Sequence, residues 1–218
     1  MYKRQVFLQG CGFDCLACHN PGTIPVAPAG MASTSVAQVL AGIRADAAFL
    51  TGVTVTGGEA TLQPDFVHDL FAALAADPVT ARLSRFVDSN GDVDPQVWQQ
   101  LAPVTDGVML DLKALDDEMH VVLTGRSNTR VLASVVELAR RGLLHEVRLL
   151  LVPGMNDDDA TLKDTAGWLL EVDPAIRVRL IGMRRRGTRS CAQDLLEPTS
   201  ADLRHYREVL AGCGARFG

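Results

Sequence analysis

The sequence predicts an α/β fold built on a parallel β-sheet. Short runs of β-branched and other apolar residues recur along the chain, and each is followed by a segment whose apolar residues repeat with helical spacing. Strands that alternate with helices indicate βαβ units with right-handed crossovers. Because the six runs are fewer than the eight strands of a closed TIM barrel, the pattern predicts an incomplete barrel or a doubly wound sheet.

The predicted strands, in order, cover residues 6–9, 53–56, 86–89, 108–112, 147–152 and 178–181. The predicted helices between them cover residues 36–48, 65–76, 95–101, 116–123, 128–141 and 158–172. After Pro198, the hydroxyl of Thr199 or Ser200 is expected to cap a last helix that runs to about Leu210. Residues 21–32 contain three prolines and two glycines and predict a loop.

Length and composition favour one folded domain over residues 1–218. The chain is 47% hydrophobic and 22% charged, which excludes wholesale disorder, collagen and low-complexity arrays. Its net charge of −5 argues against nucleic acid and anionic membranes as partners. No apolar run approaches the roughly 20 residues that cross a bilayer, and no secretory signal is present, so we expect a cytoplasmic protein.

The first five residues enter a strand-like run without a cap or a leading loop. They resemble translated sequencing-adaptor sequence, so we interpret residues 1–5 as an artefact, exclude them from the predicted fold and expect the true N-terminus to be missing. The alternative is an ordinary short basic start.

Three of the five cysteines, Cys11, Cys15 and Cys18, crowd into one loop after the first predicted strand. Clustered thiols in a cytosolic chain hold a metal or do redox chemistry more often than they form disulfides. Structural zinc normally takes four ligands, whereas a four-iron cluster held by three cysteines leaves one iron open. His19 is awkward as a fourth ligand because it adjoins Cys18. A structural zinc-binding βα module stays an alternative.

Residues that follow the other strands are expected on the same rim, because the carboxyl ends of parallel strands meet there. These are Gly57, Gly58 and Glu59, Asp88 to Gly91, Asp111 and Lys113, Pro153 and Gly154, and Met183 to Arg186. The glycine-rich segment is equally typical of a strand-to-helix turn with a glutamate in its first turn, and Asp88 to Gly91 of a strand-end turn.

Two arginine features leave alternatives open. Arg148 lies in an otherwise apolar strand, where a buried charge needs a partner, or it points outward. The run of arginines from Arg184 to Arg189 is typical of a solvated loop, with an anion-binding or partner-binding role as the alternative.

The order of these motifs resembles the radical S-adenosylmethionine enzymes and, more narrowly, the glycyl-radical enzyme activases of the pyruvate formate-lyase activating type. The resemblance covers Val6 to about Arg189 and implies an incomplete (β/α)6 barrel with parallel strands. Its motifs are Cys-x₃-Cys-x₂-Cys-His-Asn-Pro from Cys11, then Thr56 to Ala60, Asp88 to Gly91, Asp111 to Lys113, Leu123 to Gly125, Asn128, and Val152 to Gly154.

The resemblance also implies the chemistry. Cys11, Cys15 and Cys18 would bind a [4Fe–4S] cluster, and S-adenosylmethionine would chelate its open iron. The implied cofactor contacts are Gly57, Gly58, Glu59, Asp88, Asp111, Lys113 and Arg148. Reductive cleavage would give a 5′-deoxyadenosyl radical that takes a glycine Cα hydrogen from a partner glycyl-radical enzyme. The other implied partner is a one-electron donor such as flavodoxin or ferredoxin, and the chain itself is expected to be a monomer.

The chain departs from the family pattern at three places. Ser89 stands where relatives often have threonine and keeps the hydroxyl. Arg184 stands near a position where they often have histidine, which leaves the last cofactor contact of the family pattern open. Residues 23–38 contain no cysteine, so the ferredoxin-like insert of several activases is absent and a single cluster is expected. A radical S-adenosylmethionine enzyme that acts on another substrate remains an alternative.

Overall fold

The computed structural model describes residues 2–26 and 32–217. Its strands form a single parallel sheet in which each strand lies beside its neighbour in sequence. The strands are β1 (Tyr2–Leu8), β2 (Leu50–Gly57), β3 (Ser84–Ser89), β4 (Gly107–Leu112), β5 (Leu144–Leu151), β6 (Arg177–Gly182) and β7 (Arg216–Phe217). Because the strand order never reverses, the doubly wound alternative is wrong. Within the described residues β1 and β7 are sheet edges, so the incomplete barrel is confirmed.

Seven α-helices connect the strands within residues 2–26 and 32–217. They are α1 (Val36–Asp46), α2 (Pro64–Ala76), α3 (Pro95–Leu101), α4 (Asp117–Thr124), α5 (Thr129–Arg140), α6 (Asp159–Val172) and α7 (Ser200–Gly212). Most bounds lie within one or two residues of the prediction because capping side chains mark them, such as Asp116, which accepts from the amide of Met119 at 2.8 Å, and Thr199, which forms a capping box with Asp202. None of the helices in this part of the chain has the length and apolar character to cross a membrane.

The main core lies between the sheet and the helices. Val55 and Val87 from the strands and Leu70, Val135 and Leu169 from the helices are completely buried. Apolar side chains at helical spacing and on one face of each strand therefore bury each other, which is the source of the alternating pattern in the sequence.

The first strand begins at Tyr2, so the exclusion of residues 2–5 from the fold is wrong. Lys3 pairs with Gly52 in the sheet, and its ammonium lies 3.9 Å from the centre of the Phe86 ring. Arg4 forms an ion pair with Asp46 at 2.6 Å. Strands pair through backbone hydrogen bonds, so polar residues can form a strand without an apolar pattern. The sequence pattern therefore did not predict this part of β1.

Two further segments differ from the prediction or lie outside it. The two-residue strand β7 is too short to produce a sequence pattern, and it pairs with β6. Of the predicted loop at 21–32, residues 27–31 lie outside the described part of the chain, and the rest contains one short 3₁₀ turn, Pro21–Thr23.

Candidate functional site

A cavity of about 220 Å³ opens at the carboxyl ends of the strands. Its lining includes every predicted site residue except Arg148, namely Cys11, Cys15, Cys18, Gly57, Gly58, Glu59, Asp88, Asp111 and Lys113. The rim therefore gathers these residues as the strand-end rule predicts. Their roles toward a cofactor remain predictions.

The cysteine loop is held by backbone hydrogen bonds on two sides. The amide of Cys11 donates to the carbonyl of Ile24 at 3.0 Å, and the amide of Asp14 donates to the carbonyl of Thr124 at 2.9 Å, at the end of α4. Burial raises the pKa of the Cys11 thiol, and it raises the pKa of Cys15 to about 11 although the nearby Lys113 cation lowers it. A ligand that takes these thiols as thiolates must therefore displace their protons.

The three thiols line one cavity and could supply several ligands to one inorganic group. Within residues 2–26 and 32–217, no three His, Cys, Asp or Glu side chains converge as ligands of a single ion. A zinc ion would hold all its sulfurs at about 2.3 Å from one point. In a four-iron cluster each cysteine binds a different iron, so three cysteines that line one cavity can each supply a ligand to such a cluster.

Two glycines, the last residue of β2 and the residue after it, let this backbone approach the cysteine loop. A Cβ on Gly58 would lie 2.2 Å from the carbonyl oxygen of Gly10 and 2.6 Å from that of Thr23. Gly57 has φ of +128°, and the amide of Gly58 donates to Leu8 at 2.9 Å. Glycine is therefore required here by the packing of two backbones.

Glu59 is buried, with 2% of its surface exposed, and its carboxylate binds the loop after β3. Oε1 accepts from the Ser89 hydroxyl at 2.9 Å and from the amide and hydroxyl of Thr61 at 2.9 and 2.7 Å. Oε2 accepts from the Asn90 amide at 2.7 Å. Burial raises the pKa of Glu59 although these donors oppose the shift. Glu59 thus joins the ends of β2 and β3.

Arg148 lies behind Asp88. Its Nη1 donates to the Asp88 carboxylate at 2.9 Å, and its Nε donates to Glu146 at 2.7 Å. Burial and the charge of Asp111 raise the pKa of Asp88, and Arg148 opposes that shift. The buried-charge alternative is the one observed, because Arg148 has two carboxylate partners. Its predicted cofactor contact stays a prediction.

Asp111 and Lys113 supply a donor–acceptor pair in the cavity. The Lys113 ammonium donates to Oδ2 of Asp111 at 2.7 Å. Burial alone would lower the pKa of Lys113, but Asp111 and Cys15 raise it above its ordinary value. Oδ1 of Asp111 is buried and has no hydrogen-bond partner in the described structure. A bound molecule with hydrogen-bond donors, such as S-adenosylmethionine, would satisfy this oxygen.

Sequence patterns missed three contacts to the cysteine loop. The side-chain amide of Asn90 donates to Sγ of Cys11 at 3.7 Å. Nε2 of His19 donates to the carbonyl of Arg184 at 2.9 Å, and Arg189 donates to the carbonyl of Cys15 at 2.6 Å. Asn90 belongs to a motif that the sequence already singled out, whereas nothing in the sequence marked Arg189 apart from its neighbours.

The arginines of residues 184–189 lie in two environments: some are exposed to solvent, and Arg189 contacts the cysteine loop. Arg184 and Arg185 are exposed and form ion pairs with Glu197 at 3.3 and 3.7 Å. The solvated-loop prediction therefore describes this part of the run, while Arg189 turns toward the cysteines.

A family model and individual relatives point to the same family. The sequence model of the Radical SAM superfamily matches residues 6–166. Pyruvate formate-lyase 1-activating enzyme of Escherichia coli (strain K12) is 39% identical over 160 residues, which are 70% of this chain and 62% of the relative. Pyruvate formate-lyase-activating enzyme of Staphylococcus aureus (strain USA300) is 30% identical over 187 residues, which are 84% of this chain and 74% of the relative.

A solved structure shares the fold. Streptococcus suis SuiB bound to S-adenosylmethionine aligns with a TM-score of 0.75 at 14% identity, covering 99% of this chain and 49% of that one. The chain spans less than two thirds of the length of the Escherichia coli relative. From the match to the superfamily and the identity to relatives over most of its length, the chain belongs to the radical SAM superfamily and, within it, to the family of the pyruvate formate-lyase-activating enzymes.

Proposed function

We propose that this chain is a radical S-adenosylmethionine enzyme that activates a glycyl-radical enzyme. The observation that carries the proposal is the convergence of three thiols, the Gly57-Gly58-Glu59 turn and an unsatisfied oxygen of Asp111 on one cavity, in a chain of this family. When bound, a [4Fe–4S] cluster reduced by one electron from an external carrier would pass that electron to S-adenosylmethionine, whose S–C5′ bond would break to give methionine and a 5′-deoxyadenosyl radical that takes a hydrogen atom from a glycine Cα.

Under this proposal Cys11, Cys15 and Cys18 hold the cluster as thiolates. The Asp111 oxygen accepts a hydrogen bond from the cofactor, and Lys113 keeps the second oxygen of Asp111 in place. Glu59 fixes the loop after β3 against the cofactor.

Arg148 contributes to this arrangement through its ion pair with Asp88. It neutralises Asp88, so that the two carboxylates of Asp88 and Asp111 can share one partly buried site without strong repulsion. The cofactor contacts of Gly57, Gly58 and Asp88 belong to the same proposal.

The partners of the reaction are also part of the proposal. The protein substrate is a glycyl-radical enzyme, supported by the names of the relatives. A small one-electron carrier such as flavodoxin or ferredoxin would supply the electron. We further infer that residues 1–218 act as one core domain, in the cytoplasm and as a monomer.

The test begins with anaerobic reconstitution of the full chain with iron and sulfide. We expect about four irons and four sulfides per chain, and release of 5′-deoxyadenosine and methionine with a strong one-electron reductant. Cys11→Ala, Cys15→Ala and Cys18→Ala should each lose the cluster, and Cys191→Ala and Cys213→Ala are the matched controls that should keep it. Zinc uptake without iron would instead support the zinc-binding module.

The substrate is tested separately. A candidate glycyl-radical enzyme with deuterium at the reacting glycine Cα is added to the reduced, loaded chain. We expect a persistent organic radical in the partner and deuterium in the 5′-deoxyadenosine. Cofactor cleavage without a radical on any glycyl-radical enzyme would assign the chain another substrate.

A further inference from the structure

Arg189 binds the cysteine loop with one guanidinium group. Its Nη1 forms an ion pair with the Asp14 carboxylate, and its Nη2 donates to the backbone carbonyls of Asp14 at 2.9 Å and Cys15 at 2.6 Å. The guanidinium therefore contacts the backbone between two of the three thiols. Charge-assisted hydrogen bonds of this kind are stronger and more directional than neutral ones.

This contact connects two ends of an open sheet. The cysteine loop follows β1, which is an edge strand, and Arg189 follows β6, near the opposite edge. Strand pairing within the described residues does not join these edges, so side chains and loops hold them together at the cavity. A second contact, from Nε2 of His19 to the carbonyl of Arg184 at 2.9 Å, lies on the same segment.

The position of Arg189 also gives it an electrostatic effect. Its guanidinium donates to the carbonyls of Asp14 and Cys15, so the positive charge lies beside the loop that carries the three thiols. Nε of Arg189 is buried, and only 28% of the side-chain surface is exposed, so solvent screens the charge incompletely. A cation beside this loop stabilises whichever state of the site carries more negative charge.

We propose that Arg189 is a positioning residue for the loop of Cys11 to Cys18. Its bonds to Asp14 and Cys15, here called the clasp, hold this loop in place, and its positive charge lies beside the loop. The inference rests on the proposed function, because the effect on a cluster requires that a cluster binds. The clasp keeps the Cys15 backbone in the orientation that the thiols need, and the positive charge favours the reduced cluster. The first effect depends on the planar guanidinium, whereas the second depends only on its positive charge.

The experiment compares Arg189→Ala and Arg189→Lys with Arg186→Ala, which removes an exposed arginine from the same segment. The first readout is hydrogen exchange of residues 10–18 in the iron-free protein. We expect Arg189→Ala to raise exchange there about tenfold, since it removes several charge-assisted bonds. Arg186→Ala should exchange as the parent does. Far-UV circular dichroism and thermal unfolding show that each variant is folded.

The second readout uses the reconstituted protein. Arg189→Ala should release iron to a chelator about tenfold faster and lower the midpoint potential of the cluster. Arg189→Lys restores the charge without the planar fork, so its potential should return toward that of the parent while iron release stays fast.

The two readouts separate the failure of the clasp from the failure of the proposed function. A parent that binds no iron contradicts the proposed function, while exchange of residues 10–18 still tests the clasp. Arg189→Ala that matches Arg186→Ala in exchange overturns the clasp. In a loaded protein, equal iron release and equal potential in these two variants overturn the effect on the cluster.

Discussion

The side-chain amide of Asn90 donates to Sγ of Cys11 across 3.7 Å, and so the loop after β3 contacts a predicted cluster ligand directly. The backbone amide of the same residue donates to Glu59 at 2.7 Å. One residue therefore connects the carboxylate of the Gly-Gly-Glu turn with the first cysteine. A hydrogen bond to a ligand sulfur stabilises the more reduced state of an iron–sulfur cluster.

Asn90→Leu, which keeps the size of the side chain but removes the donor, is expected to lower the midpoint potential of the reconstituted cluster. The expected shift is on the order of tens of millivolts, because one hydrogen bond changes by a fraction of its strength between the two redox states. Redox titration followed by electron paramagnetic resonance measures it. An unchanged or higher potential would contradict a role of this bond, provided that the iron content equals that of the parent.

Gly58→Ala is expected to destabilise the protein and impair iron binding, because the new Cβ would lie 2.2 Å from a backbone oxygen of Gly10. Gly167→Ala is the matched control, since no atom lies within 4 Å of its Cβ position in the exposed face of α6. Alanine in a helix interior is about 1 kcal/mol more favourable than glycine, so the control should gain stability. Urea unfolding measures both. Equal effects of the two substitutions would exclude the proposed backbone contact as the reason for glycine at position 58.

Cys15 in the iron-free protein is expected to react slowly with iodoacetamide and to become more reactive as pH rises. Burial raises its pKa to about 11, and the thiolate is the reactive form, so the rate should increase about tenfold per pH unit between pH 8 and 10. Mass spectrometry of the labelled peptide gives the rate.

Lys113 provides an internal check on this reactivity. Its positive charge lowers the pKa of Cys15, so Lys113→Met should raise that pKa further and slow the labelling. Lys163→Met, on the exposed side of α6, should label like the parent. A rate for Cys15 that levels off near pH 9 in the parent would show that burial does not control this thiol.

Ser134→Ala is expected to reduce the free energy of unfolding by about 1–3 kcal/mol. The Ser134 hydroxyl accepts from Nε1 of Trp98 at 2.8 Å and donates to the carbonyl of Gly91 at 2.7 Å, and both side chains are buried. The substitution leaves the buried indole N–H of Trp98 without a partner, and it removes one of the two hydrogen bonds to the Gly91 carbonyl, which still accepts from the amide of Val93 at 2.9 Å.

The double variant tests whether the lost hydrogen bond is the cause. Trp98→Phe removes the indole donor, so Ser134→Ala should cost less when it is made in the Trp98→Phe background. Urea unfolding of the four proteins gives the coupling. Additive effects would show that the two side chains act independently.

Much of the fold was predictable because strand-forming and helix-forming segments alternate regularly along the chain. Buried strands and amphipathic helices alternate, and the ends of α4, α6 and α7 carry capping residues that mark them in the sequence. The pattern of apolar residues did not predict strands that are held mainly by backbone hydrogen bonds. Tyr2 to Gln5 pair with β2 through polar, exposed residues, and β7 is too short to show an alternation.

The site was predictable to the extent that strand ends share a rim. This rule places Glu59, Asp88 and Asp111 together before any coordinates are known. It does not predict which of them touch. The pairing of Arg148 with Asp88 joins residues 60 positions apart, and the contact of Arg189 with Asp14 joins residues 175 positions apart. Such pairs depend on how separate loops approach in space, which no local pattern records.

The distance along the chain between Asp14 and Arg189 has a consequence for protein synthesis. The cysteine loop leaves the ribosome 175 residues before the arginine that binds it, a delay of roughly 9–35 seconds at 5–20 residues per second. During that interval the three thiols lack the segment after β6 and the strands that complete the cavity. Iron–sulfur assembly on this chain is therefore expected after translation, on a sheet that has already folded, and oxidants have access to the nascent thiols until then.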